Sequence, residues 1–408
     1  MASFYIPLTG LESDSTALNT IANDLANLNT TGFKSQTVNF SDLFYQQIGE
    51  EGSGNLIQEG SGVQTASIQS QYTQGSIVST GNSTDVALDG NGFFVINNGG
   101  SNVYTRDGNF GLSSNGNLTT QSGQSVMGYP AVGGVVNTNA PLTGITLPVG
   151  QIEQPQATTS FTMSANLNSS AAVGATIPGQ FTAYDSLGNP QVVTVTYTKS
   201  ATNTWTYAIN LPAGVATTSA GNTGTLTFNS NGVLTSPAAN VPGVTFTGLN
   251  NGAANMTLSF NVLGSAGTPT ITQTAATSAV AGTTQNGFTS GQYNGFNIAS
   301  DGTVEASFSN GQTLAVGKLA MANVANLQGL QLLGNGEYAT TLASGTATVG
   351  VSGTVGLGTL QDASLEESNV NISAEFSDLI IAQRAFEANS KAVTTFDTVA
   401  QETINMVH

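Results

Sequence analysis

The side chains that most often do chemistry are scarce in this chain. Its single histidine, His408, is the final residue, so neither a Ser-His-Asp triad nor a histidine metal site is expected. The absence of cysteine excludes disulfides, thiolate metal ligands and thiol nucleophiles. Carboxylates are plentiful, but no local motif nominates a general acid–base pair. Asp85, Asp89 and Asn91, set around Gly90 and Gly92, faintly resemble a calcium loop. Their spacing departs from the EF-hand pattern and no glutamate closes it, so turn-forming Asp and Asn account for them. Arg106, between Thr105 and Asp107, stands out in a chain with only 6 basic residues and reads as a structural salt bridge or backbone clamp. No Walker A loop, G-x-G-x-x-G or G-x-S-x-G occurs. The residues predict no catalytic, cofactor or metal site.

The elements that could position anything are therefore more informative. Charged residues make up 7% of the chain, against about 25% in ordinary soluble domains. Solubility must rest on small neutral polar groups and on 49 glycines, a composition suited to turn-rich β-structure. The net charge of −17 argues against nucleic acid and against anionic membrane surfaces, since nothing here could neutralise a run of phosphates. No apolar stretch approaches the roughly 18 residues a membrane span needs. The first basic residue is Lys34, so the start lacks the positive n-region of a secretory signal, and export would have to read another signal.

Both ends carry heptads. Ile372, Leu379, Phe386, Val393, Ala400 and Val407 fall seven apart, and no Gly or Pro interrupts Asp362 to His408. At the start, Leu11, Leu18 and Leu25 fall seven apart, with Ile21 and Leu28 three residues after the last two and Asp14 breaking that second row. Such stripes favour supercoiling against a partner helix. A plain pair of amphipathic helices closing a globular core is the alternative.

Taken in order, residues 1–31 read as a helix after Pro7, ending at Gly32. Phe40, Leu43, Phe44 and Ile48 form a short apolar cluster, and Gly49 to Gly62 reads as a loop or flexible arm. From Tyr72 the period becomes two, with strands at Phe93–Ile96, Val103–Tyr104 and Asn117–Thr120 separated by Gly-Asn and Asn-Gly turns. Between residues 152 and 283 only Glu153, Asp185 and Lys199 are charged, and 7 of the 11 prolines lie there. Strands at Val192–Tyr197, Trp205–Ile209, Thr225–Phe228 and Met256–Phe260 predict a separate inserted β-domain, a sandwich or barrel. The earlier style returns at Gln285, with a turn at Ser300-Asp-Gly302 and strands near Val304–Phe308 and Lys318–Val324. Asp362 onward reads as the closing helix.

The fold class is thus α+β, mostly β, with nested β-domains and N- and C-terminal helices pairing into a coiled-coil-like inner domain. The expected divisions are 1–31 with 366–408 as the helical domain and 32–72 with 356–365 as connectors. Residues 73–152 with 284–355 form a discontinuous β-domain, and 153–283 the inserted outer one.

Ile21-Ala-Asn-Asp-Leu-Ala-Asn-Leu-Asn-Thr-Thr-Gly-Phe-Lys34 closely resembles the N-terminal signature of the bacterial flagellar rod and hook family. The usual core has two adjacent asparagines, where this chain has Asn23-Asp24, and Ile where it has Leu25. Asp85-Val-Ala-Leu-Asp-Gly-Asn-Gly-Phe-Phe94 and Tyr104-Thr-Arg-Asp-Gly-Asn-Phe110 are similar to the next two family blocks. Glu366-Glu-Ser-Asn-Val370 with Ile380-Ile-Ala-Gln-Arg-Ala-Phe386 and Asn389 resembles the closing signature. Gln285-Asn-Gly-Phe288, Ser300-Asp-Gly-Thr-Val304 and Ser309-Asn-Gly-Gln312, after a long β insertion, resemble the hook branch of that family.

The resemblance implies a non-enzymatic, self-assembling subunit of a flexible helical tube that transmits torque from rod to filament around an export channel. Terminal helices would line the inner tube, with the β-domains outside it. Leu11, Leu18, Ile21, Leu25, Leu28, Ile372, Leu379, Phe386 and Val393 are the candidate assembly residues. Implied partners are further copies of the chain, the flagellar rod, the hook cap, the hook–filament junction proteins and the type III export gate, with no nucleic acid and no membrane insertion. Phe40-Ser-Asp-Leu-Phe44 matches the Phe-x-x-x-apolar signal of such export substrates; packing of Phe40 and Phe44 into a core is the competing expectation. The location would be the flagellar basal body and hook, outside the cell after export. A distal rod or hook-associated relative, a β-rich surface adhesin and an acid-based hydrolase are the rival readings.

Overall fold

The computed structural model describes residues 4–50, 52, 56–264, 266–354 and 356–406. Val407, the last member of the C-terminal heptad, and His408 lie outside them. Helix α1 spans Tyr5–Ala26 and helix α2 spans Ile372–Met406; apart from short turns, the remaining elements are strands. The chain divides into two compact units, residues 1–149, 295–306 and 313–408 in one, and 150–294 with 307–312 in the other.

In the first unit α1 begins before Pro7 and not after it. Proline is tolerated in a first turn, where its missing N–H would have had no partner. The helix ends at Ala26, short of residue 31, where the Asn27 backbone leaves helical geometry (φ −100°, ψ 19°) and its side-chain amide N–H caps the Asn23 carbonyl (2.9 Å). The chain then turns to Gly32, at φ +65°; a Cβ there would meet Arg106 at 2.9 Å. Strand β1 (Gln36–Asp42) pairs antiparallel with β4 (Val63–Ser70), with the register shifting between Asn39 and Phe40. The stretch expected as a loop from Gly49 contains strand. β2 (Tyr45–Glu50) and β3 (Leu56–Gly60) form an antiparallel hairpin, because Tyr45, Ile48, Leu56 and Ile57 favour strand on either side of the Gly- and Ser-rich tip. That arrangement also dissolves the expected apolar cluster, leaving Phe44 90% and Ile48 61% exposed.

The core of this unit is built on the hairpin Phe93–Asn98/Ser101–Thr105, turned by Gly99 and Gly100 at positive φ. Phe93, Val95, Tyr104, Tyr129, Ala320, Ala322 and Tyr338 cluster there. Asp362 to Glu366 do not open the closing helix. Thr359–Asp362 pairs with Val86–Asp89, and Ser364–Glu366 with Ile77–Ser79. Backbone pairing won over a segment whose lack of Gly and Pro was equally compatible with helix. α2 starts only at Ile372, where the Asn371 side chain accepts the N–H groups of Ser373 (3.0 Å) and Ala374 (3.2 Å), a helix N-cap.

The second unit is a sandwich. Its five-stranded sheet contains Thr176–Tyr184, Pro190–Ala201, Thr204–Asn210, Thr223–Phe228 and Leu234–Ser236, and a six-stranded sheet faces it. Alternate residues of Pro190–Ala201 are buried, the period-two pattern of a one-sided sheet. One core, including Phe161, Tyr197, Trp205, Phe246 and Phe260, joins the inner faces. The Trp205 indole N–H donates to Gln273 Oε1 (2.9 Å), and Lys199 is buried with its ammonium 5.8 Å from the Trp205 ring centre. Asp185, fully buried, accepts from Leu187 N, Asn189 N, Gln191 and Asn251. Those four donors outweigh burial and hold its carboxyl below the usual range.

Candidate assembly interface

Small residues set the spacing of the terminal helices. A Cβ on Gly10 would sit 2.6 Å from the Asn389 amide nitrogen, and that amide donates to Asp14 Oδ2 (2.8 Å). Near the other end of α1, the charge of Asp24 acts on Glu375. Residues 10–14 thus meet 389 while 24 lies near 375, so α1 and α2 run antiparallel. Ala17 and Ile21 on one helix, and Ala382 and Ala385 on the other, line the same cavity of about 280 Å³ together with Phe40. The rows that meet are 10-14-17-21 and 375-378-382-385-389, both with the alternating three-and-four spacing of a helical seam.

The residues α1 buries are mostly small or polar: Pro7, Thr9, Gly10, Ser13, Thr20 and Asp24. Part of that face meets β1 and β4. The Val63 N–H donates to Thr9 Oγ1 (3.3 Å) and the Gln36 N–H to Asp24 Oδ2 (2.8 Å). Asp24 is fully buried, and its Oδ1 has no hydrogen-bond partner among the described residues. Burial pushes its carboxyl up, opposed only by the Gln36 N–H. Glu375 is pushed up as well, first by burial and then by the charges of Asp24 and Asp378.

The heptad residues lie beside these seams. Leu11, Leu18, Ile21, Leu25 and Leu28 are each half-buried, as are Leu379 and Val393. Ile372 and Phe386 are exposed. Leu28 and Ile372 line one cavity of about 500 Å³, and Ile21 faces the Ala382 region. A row of sevens drifts by about 20° per heptad on a straight helix, so it cannot hold one orientation along α2. Bulky residues stay open along that helix: Phe376 is 51% and Ile380 57% exposed, and Phe396, Val399, Ile404 and Met406 are exposed too. Neither candidate export residue is in a core. Phe40 is 46% exposed at the cavity edge, and Phe44 stands in solvent.

A buried ionic cluster anchors the roots of both helices. Glu366 Oε1 accepts from Lys34 Nζ (2.6 Å) and from the Gly75 N–H (2.9 Å), and Glu366 Oε2 from Arg106 (3.1 Å). Lys34 also donates to the Thr73 carbonyl (2.8 Å), and Arg106 to the Gly90 carbonyl (2.7 Å) while its guanidinium lies over the Phe93 ring. Burial holds the Lys34 ammonium below its usual range, with Glu366 opposing. Arg106 is therefore both salt bridge and backbone clamp. Asn369 adds a cross-stitch, accepting from the Ser35 N–H and donating to the Gln71 carbonyl. Blocks of sequence up to 334 residues apart converge here. Glu366 carried no local signal of this role beyond its place in the closing signature.

Four family models match consecutive parts of the chain. They are described as flagella basal body rod protein (residues 4–34), flagellar hook protein FlgE/F/G D1 domain (87–168), flagellar basal body protein FlaE D2 domain (175–288) and flagellar basal body rod FlgEFG protein C-terminal (361–406). The flagellar hook protein FlgE of Salmonella typhimurium is 35% identical over 422 aligned positions, covering 99% of this chain and 100% of that protein. The chain belongs to the flagellar hook protein family. The hook protein of Treponema pallidum is 32% identical, covering 100% of this chain and 99% of its own. The crystal structure of Helicobacter pylori flagellar hook protein FlgE2 shares the fold over 71% of this chain (TM-score 0.54, 15% identity). The molecule is accordingly a non-enzymatic structural subunit of the flagellar hook, and it polymerises within the flagellum.

Proposed function

We propose that the polymer is a flexible helical tube closed by the terminal helices, carrying torque from rod to filament around an export channel. The carrying observation is the unequal use of α2. Its small and polar row is consumed by α1, while Ile372, Phe376, Ile380, Phe386 and the end beyond Val393 remain available. A heterologous contact made by that face extends into a filament and does not close into a dimer. Leu11, Leu18 and Leu25, half-buried on α1, border the same contact, as do Leu28 in the turn after α1 and Leu379 and Val393 on α2.

The double variant Phe376→Asp/Ile380→Asp tests this reading. Burying unpaired carboxylates costs several kcal/mol each, so purified variant should form no tubes in negative-stain electron micrographs. Its monomer should melt like the parent, because both positions are solvated there. Normal tubes, or a monomer that melts far lower, would refute the assignment.

Export by the type III route, with the subunit finally outside the cell, and end contacts to rod, hook cap and junction proteins belong to the same reading. Exposure of Phe44 supports recognition of Phe40 and Phe44 by the export gate. Phe44→Ala should lower the secreted amount in cells, and an unchanged amount would remove that role.

A further inference from the structure

Besides Asp24, the first unit holds a second buried carboxylate with no cation beside it and an oxygen that has no hydrogen-bond partner among the described residues. Glu337 opens the strand Glu337–Ala339, which pairs with Ser101–Thr105 so that Glu337 stands opposite Thr105. It is 5% exposed. Its Oε2 accepts only a long bond from the Asn98 amide (3.4 Å), and its Oε1 has no hydrogen-bond partner among the described residues. The side chain lines a cavity of about 290 Å³ together with Asp107, Thr120, Gln121, Ser122 and Asn335 over a floor of Ile96.

No basic side chain lines that cavity. Lys34 and Arg106 are engaged by Glu366, Lys318 by Asp301, Arg384 by Glu387, and Lys199 lies in the other unit. Lys391, the sixth, is on α2. A buried carboxylate with neither a cation nor sufficient donors costs several kcal/mol, so its charge must be offset from solution. Every polar side chain around the cavity offers oxygen. Asp107 Oδ1 already accepts from the Asn109 N–H (3.0 Å), and the Gln121 amide N–H donates to Asn109 (2.8 Å). Asp107 Oδ2 and the Gln121 carbonyl oxygen remain for a ligand. The volume admits an ion with several waters, each occupying about 30 Å³.

We infer that this cavity is a binding site for a hard divalent cation of calcium size, held by Glu337 and Asp107 with hydroxyl, amide and water oxygens completing six to eight ligands. Asp107 fits the role, since it lines the same cavity as Glu337 and only its Oδ1 is engaged, by the Asn109 N–H. Two carboxylates and neutral oxygens place the affinity in the weak range, on the order of 10⁻⁴–10⁻³ M. Magnesium, which demands a tighter octahedron and sheds water reluctantly, should bind more weakly. The site is independent of the helical assembly face, so its failure would leave the hook assignment standing.

Calorimetric titration of the full-length, EDTA-treated monomer with calcium chloride tests the site. Wild type should show one saturable site and a melting temperature raised by a few degrees at saturating calcium. Glu337→Gln and Asp107→Asn should each lose about tenfold or more in affinity, and Glu50→Gln, on the exposed hairpin, should bind like wild type. Absence of a calcium heat in wild type would overturn the inference, as would equal binding by Glu337→Gln. A wild-type melt unmoved by saturating calcium would overturn it as well. If Glu337→Gln does not fold, wild type and Asp107→Asn decide alone.

Discussion

The sandwich and the helical pair solve burial in opposite ways. In the sandwich, Trp205, Tyr197, Phe161, Phe246 and Phe260 are almost wholly withdrawn from water inside a single chain. α2 buries only Ala382, and α1 buries threonine, serine, glycine and aspartate while its leucines stay half-exposed. At roughly 25 cal/mol per Å² of apolar surface, the first arrangement is self-sufficient and the second is not. The contrast separates a region that folds for itself from one whose apolar area is spent on neighbours.

The largest effect should come from the anchor between the helices. Glu366→Gln leaves Lys34 and Arg106 facing each other with no anion between them, and breaking such a buried pair costs about 3–5 kcal/mol. Chemical denaturation should show that loss in the transition of the first unit. Trp205→Ala should cost a comparable ~3–5 kcal/mol in the sandwich, read from faster amide hydrogen exchange across Val193–Tyr197, while the helical circular dichroism signal persists. A helical signal lost in step with the sandwich would break the comparison.

A smaller effect of opposite sign is expected at Asp24. Its folded-state carboxyl lies above the usual carboxylate range, so the associated stability is full below that range and is lost as pH rises through the raised value. Asp24→Asn keeps the shape and removes the buried charge. It should raise the melting temperature at about pH 7 and change little at about pH 3, where both states are protonated. A variant less stable at neutral pH would mean that the charge of Asp24 is being used.

Much of this was legible in advance, for identifiable reasons. Val192–Tyr197 and Trp205–Ile209 read as strands because alternation and β-branched residues agree with one-sided burial. The terminal helices read as helices from their heptads, and Arg106 was conspicuous because bases are rare. The buried face of α1 was not legible, since hydrophobic patterning points to the leucines, whereas close helix packing selects Gly10 and Ala17. The hairpin at Tyr45–Gly60 was hidden by the Gly- and Ser-rich composition of its tip. Lys34 and Glu366 are joined only by tertiary folding across the whole chain. Glu337 has no local motif; its isolation is visible only once Asn98 and the cavity are placed around it.

Amide hydrogen exchange, measured on the monomer and on the assembled tube, tests most directly whether the helices complete their burial only in the polymer. Amides of Phe396–Met406 should exchange rapidly in the monomer and slow by about a hundredfold or more in the tube, with Val193–Tyr197 protected equally in both. If Phe396–Met406 is already protected in the monomer, or stays open in the tube, the account of the terminal helices is wrong.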